Sequence, residues 1–193
     1  HIVPGVTSLD LDKMAEEFII SKKSKPGFKG MYGYPFTICS SVDNQVVHGL
    51  PNKDKLFEGE IISIDVGSIY NDYFGDHAKT FAVGKIDNEK EKLLRVTEEC
   101  LYKGIEKAIV NNKIGDISNA IQKNAEKHGF GVVRELVGHG IGKEMHEKPE
   151  MPNYGRKGTG KKFKDGMVVA IEPMINLGTS RINQLNDGWT ILT

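Results

Sequence analysis

The stretch Ile61-Ile62-Ser63-Ile64-Asp65, with Tyr70-Asn71-Asp72 and Gly75-Asp76-His77 after it, decides the fold of this chain. Residues typical of β-strands lead into Asp65, and the middle segment is typical of a turn. The pattern predicts a β-hairpin closed about the Tyr70-Asn71 bond. In that register Asp65 and Asp76 lie directly opposite each other, with Cβ atoms about 5 Å apart.

Two carboxylates this close repel each other, so one of them takes up a proton unless a cation lies between them. A pair of hard or borderline metal ions is the natural occupant of such a site. The alternative is structural, with one aspartate ending a strand and the other capping a turn. For an isolated pair of aspartates at this spacing the structural interpretation is the commoner one, so a second observation is needed.

That observation is a second copy of the strand. The segment from Gly166 to Glu172 matches the segment from Gly59 to Asp65, since each begins with glycine, continues through mostly apolar residues and ends on a carboxylate. A duplicated half-domain places two equivalent strands about a pseudo-twofold axis, with their terminal acids converging. We therefore expect one domain made of two similar halves, about 1–112 and 113–193, and we add Glu172 to the candidate metal ligands.

Histidines supply further candidates. His139 and His146 lie seven residues apart in a segment rich in glycine, which lets the backbone approach a site closely. A single histidine is more often structural than a ligand, but two of them beside three acids on strand ends favour metal chemistry. His48 precedes a Gly-Leu-Pro turn at a predicted strand end, where a side chain is positioned and accessible.

Composition excludes several classes of function. The 193 residues carry 26 basic and 26 acidic side chains, so no global field attracts nucleic acid or an anionic membrane. No apolar run approaches the ~20 residues of a membrane span. Two cysteines are too few for a disulfide framework, which predicts a reducing, cytoplasmic compartment. The lysines between Lys22 and Lys29 predict a solvated loop or, alternatively, a weak contact with ribosomal RNA.

Periodicity and capping patterns predict three helices, one starting near Asp10, one over residues 88–112, and one with Asp116 as its N-cap. The segment from Gly155 to Lys161 has the spacing of a phosphate loop. However, Lys162 stands where that motif needs serine or threonine, and the segment does not follow a strand or open a helix. Nucleotide binding is therefore rejected.

Taken together, these motifs resemble those of type I methionine aminopeptidases in order and spacing, over nearly the whole chain. The matching segments are Val47-His48-Gly49, Ile64-Asp65-Val66, Gly75-Asp76-His77, Gly138-His139-Gly140 with His146, Ile171-Glu172-Pro173 and Asp187-Gly188-Trp189. The resemblance implies an α+β pita-bread fold, an antiparallel sheet covered by helices, with the first and last elements of the family lying outside these residues. It also implies release of the initiator methionine from nascent proteins whose second residue is small.

The resemblance implies a role for each site residue. Asp65, Asp76, His139 and Glu172 would hold two divalent metal ions, of Mn, Fe, Co or Zn, with Asp76 bridging them. A water activated by the metals would attack the methionyl carbonyl, with Glu172 handling its proton, His146 stabilising the oxyanion and His48 contacting the amide on the leaving side. The implied methionine pocket consists of Phe28, Met31, Tyr34, Cys39, Met145 and Trp189.

In the family a further bridging glutamate follows the tryptophan, and residues 1–193 stop short of it. This leaves two expectations, a longer chain that carries the ligand or a truncated domain with weaker metal affinity. The implied partners are nascent polypeptide N-termini, with a weak transient ribosome contact, no specific nucleic acid and a monomeric state. Two alternatives stay open, an Xaa-Pro aminopeptidase or creatinase-like hydrolase of the same fold, and an inactive ribosome-associated binding protein.

Overall fold

The computed structural model describes residues 1–193, which form two compact units that are each discontinuous in sequence. The first unit comprises residues 1–90, 143–145 and 183–193. The second comprises residues 91–142 and 146–182. Each unit has its own hydrophobic core.

Three helices are present, close to their predicted positions. They are α1 Ser8–Ser21, α2 Asn88–Ile105 and α3 Ile114–Lys127. The prediction for α2 was too long at its C-terminus, because the chain turns after Ile105. None of the three helices combines the length and the apolar content that crossing a membrane would require.

Acidic residues in the first turns of α1 and α3 accept hydrogen bonds from backbone N–H groups at the helix start. At α1, the Thr7 hydroxyl accepts a hydrogen bond from Asp10 N, and Thr7 N donates to the Asp10 carboxylate, both at 3.1 Å. This is a capping box, and it agrees with the predicted helix start near Asp10. At α3 the N-cap position is Lys113, whose N–H donates to the Asp116 carboxylate at 2.8 Å. Asp116 is therefore a first-turn acceptor, and the prediction that it is the N-cap was wrong by three residues.

Eleven short or medium strands complete the secondary structure, and every pairing between them is antiparallel. They are β1 Lys25–Pro26, β2 Ile38–Val42, β3 Gln45–Val47, β4 Ile61–Tyr70, β5 Tyr73–Ala82, β6 Phe130–Val132, β7 Gly138–Gly140, β8 Glu147–Met151, β9 Ile175–Leu177, β10 Asn183–Gln184 and β11 Ile191–Leu192. The α+β class is thus confirmed.

Strand β4 is the centre of the first unit. Along one edge it pairs with the whole of β5, and along the other its first half pairs with β2 and its second half with β1. A smaller sheet of β10, β11 and β3 belongs to the same unit. Helix α1 and the sheet share a core of buried apolar side chains, Leu11, Ile38, Leu56, Ile62 and Val83. Burial of this apolar surface is the main stabilising term of the unit.

A buried carboxylate ties α1 to the sheet. Asp12 accepts hydrogen bonds from the backbone N–H groups of Thr37 at 2.8 Å and Ile38 at 3.0 Å. These two donors lie at the start of β2, so their satisfaction by Asp12 fixes where that strand begins. Cys39 follows immediately in β2, so the same carboxylate also sets the position of a predicted pocket residue.

The second unit packs α2 and α3 around the pairs β6–β9 and β7–β8. Its core contains Val96, Cys100, Ile114, Ile117, Ile121, Ala125, Phe130, Val132, Met151 and Phe163. The predicted strand from Gly166 to Glu172 is not continuous, which corrects the sequence interpretation. It makes one isolated bridge, between Val169 and Gly140, and regular pairing resumes only at β9. A run of apolar residues that ends on a carboxylate is therefore not sufficient to specify a paired β-strand.

Candidate active site

The hairpin of β4 and β5 has a register that differs by two residues from the predicted one. Asp65 is opposite Ala78, and Asp76 is opposite Gly67. The cause is the turn, in which Asn71 and Asp72 form a two-residue connection with φ of 49° and 63°. Positive φ at both central residues is the requirement of a type I′ turn, and asparagine and aspartate tolerate it well. The loop is thus centred one residue later than expected.

The two aspartates nevertheless share one face of the sheet. A shift of two residues preserves the alternation of side chains, so Asp65 and Asp76 become diagonal neighbours instead of direct partners. Cys39 on β2 is directly opposite Asp65, which places its thiol on the same face. We refer to the side of the sheet that carries Cys39, Asp65 and Asp76 as the acidic face.

Because Gly67 has no side chain, it leaves an opening in the acidic face. Two predicted pocket residues, Phe28 and Met145, pack over this opening. A Cβ atom at this position would lie 2.5 Å from Phe28 Cε1 and 2.7 Å from the Met145 methyl carbon. Only glycine leaves room for this packing. The Phe28 ring and the Met145 thioether therefore rest on the backbone of β4, two residues from Asp65 and opposite Asp76. An apolar surface thus adjoins two carboxylates within one unit.

Tyr34 connects other predicted pocket residues. Its hydroxyl donates to the Ile38 carbonyl at 2.8 Å and lies 3.3 Å from the Gly49 carbonyl. Its ring packs edge to face with Trp189 at a centroid distance of 4.9 Å. Burial, followed by the nearby Cys39, raises the pKa of the Tyr34 phenol. Met31 is half-buried at the start of the 3₁₀ turn Met31–Gly33, and its carbonyl accepts from Tyr34 N at 2.8 Å.

The Cys39 thiol is shielded and stays protonated at neutral pH. Burial is the main cause that raises its pKa, and the charges of Asp65, Asp76 and Asp12 raise it further, to about 12. A thiol in this state behaves as a small apolar side chain, not as a nucleophile. Cys39 therefore suits a pocket wall and not a covalent mechanism.

His48 follows β3 in an unusual backbone conformation. Its φ is 59°, a left-handed value that few residues other than glycine adopt. The next residue holds the turn in place, because Gly49 N donates to the Ser41 hydroxyl at 3.1 Å and Gly49 O accepts from Ser40 N at 2.8 Å. Such strain persists only where neighbouring contacts enforce it, and it is commonest at functional positions.

In the second unit, His139 is held with one ring nitrogen committed. It lies in β7, is 8% exposed, and its Nδ1 is 2.9 Å from the Gly140 carbonyl. A carbonyl oxygen only accepts, so Nδ1 carries the hydrogen of this bond. Nε2 points the other way and lies 3.3 Å from Glu172 Oε1. This is the arrangement of a histidine ligand whose second nitrogen is fixed by the backbone.

His146 and Glu172 complete a cluster with His139. The rings of His139 and His146 have centroids 4.4 Å apart and meet edge to face. Glu172 is carried by the extended segment after Val169, where Ala170 N donates to the His139 carbonyl at 2.7 Å. Gly138 permits this approach, because a Cβ atom there would collide with the Ala170 carbonyl. We call His139, His146 and Glu172 the histidine cluster.

The donor chemistry of the two units fits divalent metal ions. The acidic face offers carboxylate oxygens, and the histidine cluster offers an imidazole nitrogen beside a carboxylate oxygen at 3.3 Å. Mixed nitrogen and oxygen donors suit Mn, Fe, Co and Zn.

Two side chains that hold backbone next to predicted site residues were not singled out from the sequence. Asp12 holds the start of β2, and Asn153 donates through Nδ2 to the Glu172 carbonyl at 2.7 Å. Both act through hydrogen bonds to distant backbone atoms, which no local motif reveals.

Comparisons with known proteins agree with this arrangement. The model of metallopeptidase family M24 matches residues 1–190. A methionine aminopeptidase of Clostridium perfringens is 54% identical over 190 residues, which are 98% of this chain and 76% of that protein. A crystal structure of methionine aminopeptidase from Rickettsia prowazekii has a TM-score of 0.98 at 41% identity, covering 100% of this chain and 78% of the other.

More remote structures share the fold alone. A prolidase from Pyrococcus furiosus has a TM-score of 0.76 at 21% identity, covering 100% of this chain and 52% of the prolidase. The pita-bread fold is therefore common to both groups, whereas high identity is found with the methionine aminopeptidases. This difference separates the first sequence interpretation from the Xaa-Pro alternative. The chain belongs to metallopeptidase family M24 and, within it, to the methionine aminopeptidases.

Proposed function

We propose that this enzyme removes the initiator methionine from nascent proteins whose second residue is small. The observation that carries the proposal is the opening at Gly67, where the Phe28 ring and the Met145 thioether lie beside two aspartates on one sheet face. A soft, polarisable surface suits the thioether of a methionine side chain. We assign four further side chains to this surface, those of Cys39, Tyr34, Trp189 and Met31.

We propose that Asp65, Asp76, His139 and Glu172 would hold two divalent ions, of Mn, Fe, Co or Zn. Bound ions of this kind polarise a peptide carbonyl and lower the pKa of a water molecule. The hydrogen bond from His139 Nδ1 to the Gly140 carbonyl supports the assignment of His139 as a ligand, because it leaves Nε2 as the atom that can bind a metal. The position of Asp65 and Asp76 on one face of the sheet supports their assignment as ligands, because separated carboxylates can each contribute an oxygen.

The remaining roles concern protons and charge. Glu172 accepts the proton of the attacking water and returns it to the departing amine. His146 donates a hydrogen bond to the oxyanion that develops on the methionyl carbonyl. His48 contacts the amide on the leaving side, and its strained backbone supports a fixed orientation for that contact.

We further infer a single catalytic domain of two similar halves, about 1–112 and 113–193, that acts as a monomer in the cytoplasm. Its substrates are nascent polypeptide N-termini. A weak and transient ribosome contact is assigned to the exposed lysines Lys22, Lys23, Lys25 and Lys29. Lys29 also binds Glu16 at 2.7 Å, so three of these four charges carry most of the contact.

The test is a comparison of peptides on metal-loaded protein. We expect hydrolysis of Met-Ala-Ser and little hydrolysis of Met-Leu-Ser or of Xaa-Pro peptides. Preference for Xaa-Pro peptides would overturn the substrate assignment. Titration with Co²⁺ or Mn²⁺ counts the ions, and a stoichiometry of one would overturn the dinuclear proposal. Sedimentation with purified ribosomes at low and physiological salt tests the ribosome contact, which should weaken as salt rises.

A further inference from the structure

Asn153 occupies an unusual position for an amide side chain. It follows β8, is 0% exposed, and donates through Nδ2 to the backbone carbonyl of Glu172 at 2.7 Å. Buried asparagines normally satisfy both ends of the amide. Here the other end, Oδ1, is buried without a hydrogen-bond partner.

The orientation of this amide is determined by its neighbour. If the amide were turned over, Oδ1 would face the Glu172 carbonyl oxygen, and the two acceptors would repel each other. The bond to Glu172 therefore persists although it leaves Oδ1 unsatisfied. A buried unpaired acceptor destabilises the folded state. The bond to the Glu172 carbonyl therefore defines the task of this side chain.

The backbone around Glu172 shows what that task is. Before Glu172, Ala170 N donates to the His139 carbonyl at 2.7 Å, and after it, Met174 O accepts from Val133 N at 3.1 Å. Glu172 lies between these two attachments, in the stretch where no strand is formed. At this point the Asn153 side chain supplies a donor to the backbone in place of a neighbouring strand.

We propose that Asn153 is a positioning residue that fixes the backbone of Glu172 and thereby holds its carboxylate beside His139 Nε2. The inference rests on the proposed function, since it gives Glu172 the metal-binding and proton-accepting role. Asn153 touches the main chain of Glu172 and is assigned no contact with substrate. Its removal should disturb the geometry of the ligand without removing the ligand.

The expected effects follow from this division of labour. Loss of a partner that orients a metal ligand typically lowers metal affinity or activity by about 10-fold to 100-fold. We expect Asn153→Ala to weaken Co²⁺ binding by at least about tenfold and to lower kcat at saturating Co²⁺. KM for Met-Ala-Ser should stay within about twofold, because the proposed methionine pocket consists of residues of the other unit.

A matched control is available in the same unit. Asn124 is also a buried asparagine, 7% exposed, and its Nδ2 contacts Cys100 Sγ at 3.4 Å. Asn124→Ala removes the same atoms from the core of the unit but leaves Glu172 untouched. Asn153→Leu is a second variant, which keeps a branched side chain of similar shape and removes both polar atoms. It decides the matter if Asn153→Ala does not fold.

The experiment combines calorimetric titration of each purified variant with Co²⁺ alone, visible absorption of the Co²⁺ form, and thermal unfolding without metal. The inference requires weaker binding and an altered Co²⁺ spectrum in Asn153→Ala or Asn153→Leu, with wild-type binding and spectrum in Asn124→Ala. Wild-type Co²⁺ affinity in a folded Asn153 variant would overturn it, as would an equal loss in Asn124→Ala.

Glu172→Gln, measured alongside, separates the inference from the proposed function. If Glu172→Gln loses Co²⁺ affinity and activity while a folded Asn153 variant does not, only the inference fails. If Glu172→Gln binds Co²⁺ and turns over like the wild type, the role of Glu172 fails, and the inference fails with it.

Discussion

Asp65 and Asp76 lie diagonally across two neighbouring strands, because Asp65 is opposite Ala78 and Asp76 is opposite Gly67. Diagonal neighbours in an antiparallel pair lie about 7–8 Å apart, with a slightly shorter distance between their Cβ atoms. The Cβ atoms of direct partners are only ~5 Å apart. Greater separation weakens the repulsion between the two carboxylates. It also leaves each of them space to approach a cation from its own side.

Asp65→Asn should remove most of the activity while preserving the fold. The amide keeps the size of the carboxylate but lacks its charge, so it is a poorer ligand for a divalent ion. Loss of a partner that merely orients a ligand already costs about 10-fold to 100-fold, so we expect kcat to fall at least about 100-fold. Hydrolysis of Met-Ala-Ser is the measurement, with circular dichroism to confirm folding.

Asp72→Asn is the control for that experiment. Asp72 lies at the exposed tip of the same hairpin with a φ of 63°, which asparagine also tolerates. It should retain wild-type turnover. His139→Ala should behave like Asp65→Asn, and undiminished turnover in either of these two variants would contradict the site assignment.

Gly67→Ala should disturb the proposed methionine pocket. The added methyl group would meet Phe28 Cε1 at 2.5 Å and the Met145 methyl carbon at 2.7 Å, so both side chains must move. Overpacking of this kind costs about 1–3 kcal/mol. We expect a lower free energy of unfolding and a higher KM for Met-Ala-Ser.

Gly75→Ala is the matched control on the neighbouring strand. A Cβ atom there would have as its nearest neighbour the Ser68 hydroxyl at 3.7 Å, which is an ordinary contact. Its free energy of unfolding should change by no more than about 0.5 kcal/mol. Equal effects of the two substitutions would show that strand glycine, and not the pocket, is responsible.

The raised pKa of Cys39 predicts a loss of stability at alkaline pH. The thiol titrates near its ordinary value of 9.0 in the unfolded chain and at about 12 in the folded chain. The folded state therefore binds more protons between these values, and its stability falls as pH rises through that window. Tyr34, whose pKa is also raised by burial, acts in the same direction.

Denaturant unfolding at pH 8, 9, 10 and 11 tests this expectation. Cys39→Ser removes the thiol titration, so the decline of its stability above pH 9 should be less steep than in the wild type. Both cysteines are buried and free, and iodoacetamide at pH 8 should modify neither in the native protein. Rapid alkylation of native Cys39 would contradict the shielding that the structure indicates.

Asp12→Ala should destabilise the first unit through the start of β2. The substitution leaves the N–H groups of Thr37 and Ile38 buried without their acceptor. Each unsatisfied buried donor costs about 1–3 kcal/mol, so the loss of the acceptor for two donors should lower the free energy of unfolding by about 2–6 kcal/mol. Lys13→Ala, one residue along α1 with a side chain 79% exposed, should change it little.

The hairpin could be predicted from the sequence because its information is local. Strand-forming residues and the Asn71-Asp72 pair specify two strands and a turn within a few residues of each other. The register was wrong by two because an Asn-Asp pair supports positive φ at both positions, which moves the turn one residue along. The shared face survived the error, since an even shift preserves the alternation of side chains.

The second copy of the strand shows where local information ends. Residues from Gly166 to Glu172 resemble Gly59 to Asp65, yet no continuous strand forms there. Whether a segment forms a ladder depends on which backbone lies beside it, and that neighbour is distant in sequence. Asn153 and Asp12 were missed for the same reason, because their acceptors and donors lie 19 and 25 residues away.

The pairing of β11 with β3 has a consequence for synthesis of the chain. Ile191 pairs with Val47, and Trp189 just before it packs on Tyr34. The β4–β5 hairpin needs only its own residues and can close within about 10 μs of becoming free. Tyr34, by contrast, can pack on Trp189 only after more than a hundred further residues have been made, which takes on the order of 10 s of translation. Each newly made copy therefore carries its acid pair well before Trp189 reaches Tyr34.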